Sequence, residues 1–98
     1  MLTEKVIEID PSLKNSFQIE NLSIENENKL FSITIRANKL SEYALYIYKD
    51  NEKIKTIWYT QESKFVFEAQ DPGTYSFLAF AKHDSKVISK KSKQYVLA

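Results

Sequence analysis

Apolar and polar side chains alternate along most of this chain with a period of two, which predicts strands rather than helices. In LFSITIRA, Phe31, Ile33 and Ile35 share one face, and Ser32, Thr34 and Arg36 share the other. SKFVFEA sets Phe65 and Phe67 together, with Lys64, Val66 and Glu68 opposite. YALYIYK and KIKTIWYT are rich in β-branched and aromatic residues, and KDNE between them predicts a hairpin turn. SFQIENLSIE pairs Phe17 with Ile19 and Leu22 with Ile24; the change of parity predicts a bulge or a kink. The last run, KVISKKSKQYVLA, is half polar with apolar ends.

Polar clusters separate these runs: ENEN, NKLSE, KDNE, TQES, DPG and KHDS. About seven strands result, at spacings of roughly 8–15 residues, the signature of an antiparallel sandwich. SEYALYIYKDNEK, with Ser41 placed to cap, is the best candidate for a helix. Its Tyr and Ile side chains lose rotamer freedom in a helix, so it is assigned to a strand. No internal repeat or low-complexity segment interrupts the pattern. Residues 1–98 are expected to form one domain, with 1–15, around Pro11, as an N-terminal arm or linker.

The only glycine and one of the two prolines fall in DPGTYSFLAFAK. Pro72 fixes φ and Gly73 accepts φ > 0, so residues 71–74 are expected to form a type II turn where the chain crosses between sheets. Tyr75, Phe77, Ala79 and Ala81 should then face the core. A tyrosine in this position can bury its ring and return its hydroxyl to backbone a few residues upstream. That is a tyrosine corner, built here on Tyr75, Pro72 and Gly73. The alternative is a tyrosine that merely starts a strand.

Composition agrees with a self-sufficient core. The chain is 43% hydrophobic, with six Phe, six Tyr and one Trp, and at this length roughly 60–70% of the unfolded surface can be buried. The absence of cysteine excludes disulfides and thiolate metal sites. A net charge of +1 is too near neutral to predict a nucleic-acid partner. No run approaches the roughly 18–20 apolar residues of a membrane span, so membrane insertion is not expected. MLTEKVIEID lacks the apolar core of a signal peptide. Met1 ahead of a domain-sized chain also fits an excised piece of a larger protein. KQYVLA points the same way, stopping just after an apolar stretch where a linker would normally begin.

DPGTYSFLAFAK resembles the pG-x-Y…A element of fibronectin type III-like sandwiches. More narrowly, residues 43 to 82 resemble the triple-tyrosine domain, which occurs in bacterial sensor proteins and in some surface or cell-wall-associated proteins. The matching positions are Tyr43-Leu45-Ile47, Trp58, Phe67 and Tyr75. Leu45 stands where that family usually has an aromatic, and Phe67 replaces its middle tyrosine. The hairpin before Trp58 is long, and the glycine expected after the last strand's alanine is missing at KHDSK. The resemblance implies an immunoglobulin-like or fibronectin type III-like sandwich serving as an accessory module, with an extracellular or cell-surface setting.

Little in the chain suggests catalysis. His83, the only histidine, lies in AKHDSK, but neighbours on a strand point to opposite faces and in a turn are solvated. His83-Asp84-Ser85 is therefore read as turn residues rather than a triad fragment. Glu25 with Glu27, and Glu8 with Asp10, have the same-face spacing of paired carboxylates. Neither has the Asp/Asn/Gly density of a calcium loop, so solvated charge is the reading, and no cofactor is implied. Asn21-Leu22-Ser23 fits a glycosylation sequon, a match short enough to arise by chance. Lys82, Lys86, Lys90, Lys91 and Lys93 stand against the single Asp84. These lysines suit an edge strand protected from sheet-to-sheet association, or else an anion-facing edge.

The surplus of aromatics is the strongest functional signal. If Tyr43, Leu45 and Ile47 face in, Tyr46 and Tyr48 face out, beside Leu78 and Phe80 and either Trp58 or Tyr59. A sandwich core does not need that second face, and an exposed apolar patch usually marks an interface. The face could instead be covered by flanking domains or by KVIEI of residues 5–9. The expectation is a non-enzymatic accessory or interaction module of a larger bacterial protein. It would orient its neighbours and offer Tyr46, Tyr48, Trp58, Leu78 and Phe80 to a protein partner. The alternative is a small carbohydrate-binding module that stacks sugar rings on Tyr46, Tyr48 and Trp58.

Overall fold

The computed structural model describes residues 16–98. The expected arm, its KVIEI stretch and the Glu8–Asp10 pair lie outside the described residues. Eight strands are formed among those described: β1 (Ile19–Glu27), β2 (Leu30–Ala37), β3 (Glu42–Lys49), β4 (Glu52–Thr60), β5 (Lys64–Glu68), β6 (Gly73–His83), β7 (Lys86–Lys91) and β8 (Tyr95–Leu97). One sheet has the order β1-β2-β5 and the other β4-β3-β6-β7, with β8 joining β6 on the same edge as β7. Every pairing is antiparallel. With β7 and β8 counted as one interrupted edge strand, this is the seven-stranded fibronectin type III-like sandwich.

The alternating pattern acts as anticipated. Phe31, Ile33 and Ile35 from β2 meet Tyr43, Leu45 and Ile47 from β3 and Tyr75, Phe77, Ala79 and Ala81 from β6 in one buried cluster, closed by Phe65 and Phe17. SEYALYIYK is a strand. Its turn is set by Asp50 (φ 51°) and Asn51 (φ 69°), both left-handed, between the paired Lys49 and Glu52. Two consecutive left-handed residues define the type I′ hairpin, whose twist matches the flanking strands. The parity change in β1 is a bulge between Ile19 and Asn21.

The final run divides in two at Ser92. Its N–H donates to the Phe77 carbonyl at 2.8 Å, and its hydroxyl oxygen accepts from the Phe77 N–H at 2.9 Å. A side-chain oxygen thus takes the place of a ladder carbonyl, satisfying β6 while the edge strand breaks between β7 and β8.

The type II turn is not formed: no glycine has a positive φ, and Gly73 is the first residue of β6, paired with Leu97. Close approach explains the glycine instead. A Cβ there would lie 2.8 Å from Lys49 Cε, 3.1 Å from Lys49 Cγ and 3.3 Å from Asp50 Oδ2. The β3–β4 hairpin is held against this point, because Asp50 N–H donates to the Thr74 carbonyl (2.7 Å) and Thr74 N–H donates to Asp50 Oδ1 (3.0 Å). Gly73→Ala is expected to cost no more than about 1 kcal/mol, since the flexible Lys49 chain can swing away and the reduced entropy of the unfolded chain offsets part of the strain. Urea unfolding would check this; a loss above about 2 kcal/mol would mean the hairpin backbone itself must shift.

Tyr75, two residues on, is 1% exposed, and its hydroxyl donates to the Asp71 carbonyl at 2.6 Å. The ring sits in the core while the phenol ties the sheet-crossing segment 69–72 to β6. The two ends of the described chain lie at opposite poles. Ile19 pairs with Ala37, beside the β2–β3 and β6–β7 loops, whereas Leu97 pairs with Gly73, beside the β3–β4 hairpin.

Candidate functional site

The register of β3 against β6 sets the outer surface of the larger sheet. Tyr46 lies opposite Leu78, Ala44 opposite Phe80 and Tyr48 opposite Ser76. The intervening Leu45, Ile47, Phe77 and Ala79 are all buried in the core. Tyr46, Tyr48, Leu78 and Phe80 therefore share the outer face, where they are half-buried rather than open. They shield one another: Tyr46 meets Phe80 edge-on, with centroids 4.7 Å apart at 64°, and stands 6.5 Å from Tyr48.

Sequence parity left Trp58 and Tyr59 as alternatives; a bulge brings both to this face. Tyr43 pairs with Thr60 and Leu45 with Ile57, so Trp58 and Tyr59 together oppose Ala44. Two residues set against one turn their side chains to the same side. With Ala44, Tyr46, Phe80 and Val87 they line a cleft of about 80 Å3. Trp58 is 71% exposed at its rim. Burial, and then the neighbouring Tyr46, raise the pKa of the Tyr59 hydroxyl above the usual tyrosine value, so it stays a neutral donor.

Lysines frame the aromatics. Lys53 Nζ lies 4.1 Å above the Tyr46 ring and Lys82 Nζ 5.5 Å from that of Tyr59, within the range where a ring face attracts a cation. Lys86, Lys90 and Lys91 are exposed on β7, the edge strand beside Phe80 and Leu78. Register puts Lys91, opposite Leu78, on the aromatic face, whereas Lys86 and Lys90, opposite His83 and the buried Ala79, belong to the other side of the sheet.

A larger open cavity of about 730 Å3 lies at the pole where β1 begins, lined by Leu40, Ser41, Glu42, Gln61, Lys82, His83 and Asp84. Its histidine braces the fold. His83 Nδ1 is 2.7 Å from the Leu40 carbonyl, its Nε2 is 3.6 Å from Asp84 Oδ2, and its ring packs on Phe17 at 5.6 Å. Asp84 and Ser85 make the turn, Asp84 with φ 56°. Asn38, which the sequence reading passed over, fixes the incoming strand. Its Nδ2 donates to the Ser16 carbonyl (2.6 Å) and its Oδ1 accepts from Gln18 N–H (2.9 Å). The only advance signal was an asparagine directly after a strand.

Glu25 and Glu27 are exposed on β1. Among the described residues, no group of three or more His, Asp or Glu side chains is placed to hold a metal ion. The smaller, aromatic cleft is therefore the better candidate: its walls are apolar and Trp58 stands open at its rim, whereas His83 in the polar cavity is engaged with the fold.

No protein-family model matches the chain, and no curated protein matches it. Among solved structures, the extracellular region of rat CD45, domains d3–d4, superposes with a TM-score of 0.59 at 13% identity. The alignment covers 76% of this chain and 48% of that one, so the chain spans about half the length of the two-domain structure. At that identity the likeness speaks for the fold. The fold is a fibronectin type III-like sandwich, and the narrower triple-tyrosine resemblance is not matched by any family model.

Proposed function

We propose that this chain is a non-catalytic interaction module of a larger protein, spacing its neighbours and presenting the outer face of β3, β4 and β6 to a protein partner. The observation that carries the reading is Trp58, left mostly in solvent at the mouth of an apolar cleft whose other walls half-bury one another. A large indole there serves no core, and exposed aromatic surface of this kind is what protein contacts use. The opposite poles of β1 and β8 support the spacing role, since neighbours joined there would follow one another along the sandwich. The triple-tyrosine resemblance, with Tyr43 and Tyr75 buried and Phe67 5.9 Å from the Tyr75 ring, supports a bacterial sensor, surface or cell-wall setting.

A second reading, carbohydrate stacking on Tyr46, Tyr48 and Trp58, is favoured by the exposed indole alone. Tyr46 has Lys53 over its ring and Phe80 against it, which leaves Trp58 as the most exposed ring of the three. The test is Trp58→Ser. Stability should change by no more than about 0.5 kcal/mol, as for an exposed site, while partner capture by the parent protein is lost. Capture unchanged by the substitution would reject the protein-contact reading, and Trp58-dependent retention on a glycan array would replace it with the second.

A further inference from the structure

We infer that the cleft between Trp58, Tyr59 and Phe80 receives an acidic peptide segment that inserts one aliphatic side chain, its carboxylates meeting Lys53, Lys82 and Lys91. This deepens, and rests on, the interaction-face reading above. Three features of the surface converge on that occupant.

The first is volume. An apolar cavity of roughly 150 Å3 holds benzene, so a cleft of about 80 Å3 has room for a branched aliphatic group but is too small to enclose a sugar ring. The second is chemistry. The walls are Ala44, Tyr46, Trp58, Tyr59, Phe80 and Val87, whose only polar side-chain groups are two phenol hydroxyls and one indole N–H. A saccharide pressed into them would leave hydroxyl groups unpaired, at a cost of order 1–3 kcal/mol each, whereas an aliphatic side chain loses nothing.

The third is charge. The aromatic strands β3 and β6 lie between β4, which brings Lys53 to the outer face, and β7, which brings Lys91, with Lys82 of β6 beside Tyr59. Register sets Lys53 beside Tyr48 and Lys91 beside Leu78, on the same outer face. Acidic side chains on the four strands are limited to Glu42 and Glu52. A carboxylate beside the seated side chain would find an ammonium on either flank. Such rim charges set salt dependence and choice of partner more than raw affinity. The segment lies on the face rather than adding to the edge, because β4 carries two register shifts and β7 its lysines.

The test uses the whole 98-residue chain, whose only tryptophan stands at the site. Its emission is followed while adding the synthetic peptide Glu-Glu-Leu-Glu-Glu, a Ser-centred counterpart, a Lys-Lys-Leu-Lys-Lys counterpart, or oligogalacturonate. A saturable blue shift is expected with the first peptide alone, with a dissociation constant on the order of 1 mM or below. Raising salt from about 50 to about 300 mM should weaken it several-fold. Lys53→Glu with Lys82→Glu should weaken it about tenfold, with an unchanged far-UV spectrum. Equal response to the Ser-centred or the lysine peptide overturns the inference while the protein-contact reading survives; response to oligogalacturonate overturns it in favour of the carbohydrate reading. A chain that dimerises through Trp58 in sedimentation overturns it in favour of a second copy. Silence with every probe also overturns it, leaving the Trp58→Ser capture experiment to judge the face independently.

Discussion

Phe31→Ala is expected to lower the unfolding free energy by about 3–5 kcal/mol, the range for an aromatic removed from a packed core. Phe31 is fully buried on β2, and its ring meets three others across the sandwich, Phe77, Tyr75 and Tyr95, and that of its strand neighbour Phe67. Their centroids lie at 5.3 Å (Phe77), 5.6 Å (Tyr75), 5.9 Å (Tyr95) and 6.4 Å (Phe67). Truncation loses the transfer energy and the ring contacts, edge-on with Tyr95 and tilted with the others, together. Tyr95, on the short β8, is the neighbour best able to lean in, which favours the lower half of the range. Small domains are stable by only about 5–15 kcal/mol, so the variant should be close to unfolding at 37 °C. Urea denaturation with an unchanged slope is the measurement; a loss under about 1 kcal/mol would show that the two sheets do not meet at this ring.

Tyr75→Phe is expected to cost about 1–2 kcal/mol while leaving the packing of the ring intact. The substitution deletes one hydroxyl that donates at 2.6 Å to the Asp71 carbonyl. A backbone acceptor left unpaired in the interior costs more than the net worth of a hydrogen bond. Asp71 itself is exposed, so water can reclaim part of its acceptor, which keeps the figure below that of a sealed site. The loss should be local as well as global. The Ala69 N–H, bonded to the Lys29 carbonyl at 2.8 Å across the same crossing, should exchange with solvent faster. A stability change within about 0.3 kcal/mol would assign Tyr75 to packing alone.

Strand positions and faces were readable in the sequence because alternation is local: each inward residue of β2, β3 and β6 could be placed from its neighbours two positions away. The parity change before Leu22 was local too, and it is a bulge. What could not be read depends on pairing between distant segments. Gly73 carries the same letters as a type II turn, yet its need for a missing Cβ comes from Lys49 and Asp50, more than twenty residues earlier. Whether Trp58 or Tyr59 faces outward is undecidable by counting along β4, since the answer is both, fixed by the single Ala44 opposite them. The break at Ser92 likewise exists only in relation to Phe77. Of the outer face, Tyr46, Tyr48, Leu78 and Phe80 were placed on the correct side, though as half-buried mutual supports. Tyr59 was one of two alternatives that register joined, and Val87 and Lys53 came to the face through register alone.

The position of Trp58 also has an optical consequence. Because the indole already sits in an aqueous environment, denaturation should barely move its emission maximum, and a melting curve read from tryptophan would look flat. Tyr75, Phe31 and Phe77, locked at fixed angles inside, should instead give the near-ultraviolet dichroism that vanishes on unfolding. In this molecule the two chromophore sets thus divide the labour: the phenol and phenyl bands follow the integrity of the sandwich, and the indole follows what arrives at its surface.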